Sequence, residues 1–135
     1  MTAREAMTQF LELMVQGDVA RWLSLWSDDA VFEYPFAPPG YPPEVRGIEA
    51  ITKHFQSFPE FVRFFEFVDV QMHAQPDPEM LITEFACRGE MVADGRPYNQ
   101  RYIGVLHMTG GKISHYRDYW NPLVVLDAFP AEGAA

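Results

Sequence analysis

The stretch Ile103-Gly-Val-Leu-His-Met-Thr-Gly-Gly-Lys-Ile-Ser-His-Tyr-Arg-Asp-Tyr-Trp120 decides the fold. Two runs rich in β-branched and aromatic residues flank Gly110-Gly111, a pair that supplies the positive φ angles of a tight hairpin turn. The spacing predicts two long antiparallel strands. With Thr109 facing Lys112, Asp118 falls opposite Ile103, Tyr116 opposite Val105 and Trp120 opposite Arg101. Alternation then gathers Asp118, Tyr116, Trp120, Arg101, Ile103, Val105 and His107 on one face, and Tyr102, Leu106, His115, Arg117 and Tyr119 on the other.

Working outward, the chain from about Arg63 reads as strand. It is broken at Gln75-Pro-Asp-Pro, Ala93-Asp-Gly-Arg and Thr109-Gly-Gly-Lys, three turn-forming clusters, so four strands form an antiparallel meander. Before it, Thr2 and Glu5 have the spacing of a capping box, and Ala6, Met7, Phe10, Leu11 and Met14 recur at helical intervals up to about Gln16. Gly17 stops that helix. Asp18 caps a second, marked by Val19, Trp22, Leu23 and Trp26. Ala30-Val-Phe-Glu-Tyr is a short strand ended by Pro35, and four further prolines stiffen the loop that carries Phe36 and Tyr41. Ile48, Ile51, Phe55 and Phe58 predict a third helix, stopping before Pro59. Asn121-Pro122 starts a closing helical turn or two, followed after Phe129 by a small-residue tail. The expectation is one α+β domain over residues 1–135, with three N-terminal helices packed on a strongly bent antiparallel sheet around an apolar pocket.

Composition narrows the function. Aromatic residues make up 15% of the chain, more than a plain core requires, and the excess suits a ligand pocket or a subunit interface. A formal charge of −9 without a basic cluster argues against nucleic acid, whose phosphates would be repelled. No run is apolar enough for a signal peptide or a membrane span, and the single Cys87 fits a reducing cytoplasm. There is no His-Glu-x-x-His, no paired cysteine and no calcium-loop spacing, so no metal is expected; no phosphate-binding loop or other cofactor signature is present either.

Asp118 is the leading candidate. Flanked by Ile103, Val105, Tyr116 and Trp120, it sits in a poorly hydrated setting that raises its pKa, whereas Arg101 on the diagonal would lower it. Strong pairing makes Asp118 a base or an anchor; weak pairing makes it an acid. Two readings stay open: an acid/base group, or a buried Asp–Arg bridge that only locks the hairpin. His54 lies on the helix face beside Phe55, either as a second proton-transfer group or as a satisfied core histidine. Tyr34 either donates its hydroxyl to a developing oxyanion or packs under the proline loop. Trp22 and Phe55 are candidates for the pocket floor, and Phe36 and Tyr41 for its rim or for a dimer contact.

The order of elements is similar to that of the nuclear transport factor 2-like superfamily, a cone-shaped roll that includes ketosteroid isomerases and SnoaL-like polyketide cyclases. Ser27-Asp-Asp-Ala-Val-Phe-Glu-Tyr-Pro, Gly47-Ile-Glu-Ala-Ile and Gly111-Lys-Ile-Ser-His-Tyr-Arg-Asp-Tyr-Trp-Asn carry the likeness. The last resembles the ending of SnoaL-like and phenazine biosynthesis A/B proteins, where an acidic residue in an Arg-(Asp/Glu)-aromatic sequence is the acid/base; that role falls on Asp118. The place that ketosteroid isomerases give to a catalytic aspartate holds Tyr34. The resemblance implies isomerisation, cyclisation or dehydration of a small apolar or aromatic substrate, in a homodimer formed through the opposite sheet face. A non-catalytic small-molecule binding protein of the same fold is the alternative.

Overall fold

Thr2 opens the first helix by accepting from the Glu5 amide, while the Glu5 carboxylate accepts from the Thr2 amide, so two orphan donors are satisfied at once. In the computed structural model, which describes residues 1–129, this helix α1 (Ala3–Gln16) ends at Gly17 with a φ of 70°. The small-residue tail lies outside the described residues. Asp18 caps α2 (Val19–Leu23). Trp26, expected on that helix, instead opens β1 (Trp26–Glu33). The helical spacing of Trp22 and Trp26 was misleading because both rings enter the same core from successive elements, with centroids 5.1 Å apart.

After the proline loop, β2 (Glu44–Arg46) pairs with β1; three residues carry too little alternation to be read from sequence. Helix α3 (Ile48–Phe55) buries Ile51 and Phe55 and is followed by a 3₁₀ turn, Phe58–Glu60. The meander is β3 (Val62–Ala74), β4 (Met80–Met91), β5 (Pro97–Thr109) and β6 (Lys112–Trp120), closed by α4 (Pro122–Ala128). Asn121 caps α4 through the Leu123 amide.

The six strands run in the order β2-β1-β6-β5-β4-β3. All neighbours are antiparallel except β1 and β6, which are parallel, so the sheet is mixed where a purely antiparallel one was expected. That pair is invisible in the sequence because no turn joins its strands. Register shifts in β3, where Asp69 takes a φ of 54°, and between Trp26 and Val31 bend the sheet into a curled, unclosed roll. Helix α1 fills the hollow, stacking Phe10 on Tyr116 at 4.9 Å.

The β5–β6 hairpin departs from the expected register in one place. Thr109 faces Lys112 and Met108 faces Ile113 as predicted, but His107 then pairs with His115, leaving Ser114 as an extra residue. Ser114 bridges this bulge by accepting from the Thr109 hydroxyl at 2.9 Å and donating to the His107 carbonyl at 3.2 Å. Because side chains alternate with a period of two, one inserted residue inverts the match between faces. Beyond the bulge Asp118 pairs with Gly104, Tyr116 with Leu106 and Trp120 with Tyr102. Arg101, Ile103, Val105 and His107 therefore point away from Asp118, while Tyr102 and Leu106 point inward with it.

Candidate active site

Asp118 is 8% exposed, and its Oδ1 is sealed from solvent with no hydrogen-bond partner among the described residues. Burial pushes its carboxyl up to about 8, so the group holds its proton at neutral pH. The expected counter-ion is absent from its side: Arg101 is exposed on the other face. An Asp–Arg bridge is thereby ruled out, and the carboxyl stands alone among rings.

The cavity in front of it measures about 50 Å³ and is lined by Phe10, Phe32, Tyr34, Phe55, Phe64, Phe67, Phe85, Tyr98, Tyr102, Tyr116 and Trp120 among others. A benzene-sized guest needs roughly 150 Å³, so this chamber admits a polar group and not a ring. An adjoining vestibule of about 210 Å³ shares Tyr34, Phe58, Tyr98 and Trp120 with it and adds Tyr41, His54, Ser57, Phe61 and Phe129. Between the two lies Tyr34, stacked on Trp120 at 4.4 Å. Among the described residues no lysine or arginine lines either space.

The Tyr34 hydroxyl and His54 Nε2 are 2.8 Å apart. Burial raises Tyr34 well above the usual phenol range, reinforced by nearby Asp118, and burial lowers His54. Both groups are thus neutral at pH 7, and the tyrosine donates to the imidazole. Histidine and tyrosine, read separately from the sequence, are one hydrogen-bonded pair.

Phe55, Tyr116, Trp120 and Tyr41 lie at the cavity or vestibule. Ile103, 43% exposed, and Val105 do not, because the bulge turns them outward; the same cause removes Arg101. Trp22 lines a separate cleft of about 260 Å³ between α1 and the 3₁₀ turn, on the far side of Phe55. Phe36 is 56% exposed and packs edge-on against Tyr119 at 5.4 Å on the outer face, so only the Tyr41 end of the proline loop reaches the vestibule. The inward row Tyr98, Tyr102, Gly104, Leu106 went unrecognised; its own alternation within β5 was the available signal. Among the described residues no three His, Cys, Asp or Glu side chains converge as a metal site would require, and no helix is long and apolar enough to cross a membrane.

The SnoaL-like domain family matches residues 7–116, ending two residues before Asp118. An uncharacterized PhzA/B-like protein of Pseudomonas aeruginosa is 38% identical over 135 residues, spanning 100% of this chain and 95% of its own. A solved structure from Bacillus subtilis, provisionally described as an isomerase, is 37% identical with a TM-score of 0.90, covering 98% of this chain and 96% of that one. A provisionally described polyketide cyclase of Pseudomonas putida shares the fold at 19% identity, with a TM-score of 0.80 over 95% of this chain and 98% of that one. The chain belongs to the SnoaL-like family and has the nuclear transport factor 2-like fold.

Proposed function

We propose that the protein is a small-molecule enzyme in which Asp118 acts as general acid/base on a neutral, largely planar metabolite, next to a carbonyl. The observation that carries this reading is the buried Asp118 carboxyl, its Oδ1 without a hydrogen-bond partner among the described residues, facing a cavity walled by rings and lined by no Lys or Arg. An anionic substrate group would have no counter-charge there; a carbonyl oxygen would meet a donor. The sizes of the two spaces fit a ring in the vestibule with its oxygen reaching inward.

Protonated Asp118 gives its proton to the carbonyl oxygen, and a proton leaves the adjacent carbon. Tyr34 can take that proton while passing its own to His54 Nε2, so the pair supplies the base. The result is an enol, an Asp118 carboxylate and a His54 imidazolium; return of the protons to new positions completes an isomerisation, and the same enol opens routes to cyclisation or dehydration. The isomerase description of the Bacillus subtilis relative agrees with this chemistry.

The test is deuterium uptake next to the carbonyl of neutral bicyclic ketones such as 2-tetralone and 1-indanone, followed by proton NMR in D₂O. Wild type accelerates exchange, less so as pH rises through about 8, where Asp118 loses its proton. Asp118→Asn lowers the rate by about 10²-fold or more. Full exchange in that variant overturns the assignment. Saturable ketone binding without exchange in either protein supports a binding protein instead.

A further inference from the structure

Thr83, Gly104 and Asp118 stand side by side across β4, β5 and β6. Their inner-face places form one row, and glycine leaves the middle place without a side chain. The Tyr116 phenol occupies it: a Cβ added at Gly104 would collide with the Tyr116 hydroxyl. Directly opposed side chains on antiparallel strands are about 4.5–5.5 Å apart, so a hydroxyl in the middle place is one bridging atom from either neighbour. Thr83 Oγ1, the Tyr116 hydroxyl and Asp118 Oδ1 are all sealed from solvent, and none has a hydrogen-bond partner among the described residues. Three such atoms left unmet would each bear the full penalty of burial without a hydrogen bond. The ring is held in place by stacking on Phe10 at 4.9 Å and by Phe32 at 5.2 Å. Tyr34, the phenol singled out from sequence, already spends its proton on His54.

We propose that Tyr116 is the second polar contact of the Asp118 site. Its hydroxyl and the Asp118 carboxyl hold one bound oxygen between them, water in the free protein and the substrate carbonyl in the complex. Thr83 is a positioning residue that reaches the Tyr116 oxygen through a second bridging water and so aims the phenol proton at that bound atom. The substrate half of this inference rests on the acid/base reading; the arrangement of the row does not.

The experiment is a carbon-13 NMR titration of the Asp118 carboxyl in the full chain, without ligand. Tyr34, Tyr41, Tyr98, Tyr102 and Cys87 also feel the Asp118 charge and are unchanged in every variant, so a shift reports the altered group. Tyr116→Phe raises the midpoint by about half a pH unit or more, the size of one modest hydrogen bond relayed to the carboxylate through the bound water. Thr83→Val moves it the same way by less. An unchanged or lowered midpoint in folded Tyr116→Phe overturns the proposal. If Tyr116→Phe does not fold, Thr83→Val decides by the same criterion. Neither variant is read by turnover, so undiminished exchange in Asp118→Asn breaks the acid/base reading and leaves the row standing, while an unmoved titration breaks the row alone.

Discussion

Asp118 keeps its proton because its surroundings replace too little of the water that would stabilise a carboxylate: most neighbours are rings, the nearest phenols are themselves buried, and Arg101 is on the wrong face. This has a thermodynamic consequence. Between pH ~4, where an unfolded aspartate ionises, and pH ~8, where the folded one does, the folded chain binds the extra proton. Its stability therefore falls as pH rises through that window, by about 1.4 kcal/mol per pH unit for this single group. Asp118→Asn removes the titration without enlarging the side chain. The melting temperature of the variant minus that of wild type should grow steadily from pH 4 to pH 8 and level off above it; the comparison cancels the titration of surface carboxylates common to both. A constant difference would mean that Asp118 is solvated and ionised like any exposed aspartate. The same burial that makes the group a competent acid at neutral pH is thus a local cost to the fold, of the kind that functional carboxyls carry.

At the scale of elements, one residue in β6 decides which side chains form the site. Ser114 is the bulge, and its hydroxyl ties both sides of the hairpin. Deleting Ser114 would restore simple pairing but send Tyr116, Asp118 and Trp120 outward or tear β6 from β5. Thermal unfolding of the deletion variant should show no cooperative transition, whereas Ser114→Ala, which keeps the extra residue, should cost only about 1 kcal/mol. A cooperative melt close to wild type in the deletion variant would refute the bulge's role. The bulge also explains what could be read in advance. The capping box, the Gly17 stop, the third helix and the Gly110–Gly111 turn were legible because each is a local signal with its own chemistry. The β6 face was legible from alternation: Tyr116, Asp118 and Trp120 do share it. The β5 face was not, since its parity relative to β6 was carried across Ser114, an unremarkable serine between Ile113 and His115. The parallel β1–β6 contact and the Tyr34–His54 bond, 20 residues apart, depend on tertiary geometry and leave no local trace.

For the molecule as a whole, the inverted parity also redraws the outer surface. The face expected to carry Tyr102 and Leu106 beside His115, Arg117 and Tyr119 carries Ile103, Val105 and His107 beside them instead. Ile103 pairs with Tyr119, and Phe36 packs against that same Tyr119, so an exposed aliphatic side chain and an exposed ring adjoin on the outer sheet. Half-buried Glu33 and His115, 2.7 Å apart, border the patch with polar groups. An apolar centre with a polar margin is the anatomy of a self-complementary contact, and one patch repeated by a two-fold axis closes without further partners. We propose that the protein is a homodimer through this face, with the vestibule of each copy on the other side of its sheet. The proline loop then has two roles, Phe36 in assembly and Tyr41 at the vestibule. Light scattering at micromolar concentration should give a dimer mass for wild type. Combining Ile103→Asp with Phe36→Ser should weaken association by at least about tenfold, one or more interface side chains' worth of free energy, while leaving ketone exchange per chain unchanged. A wild-type monomer under those conditions, or a double variant that remains fully dimeric, would remove this face as the interface.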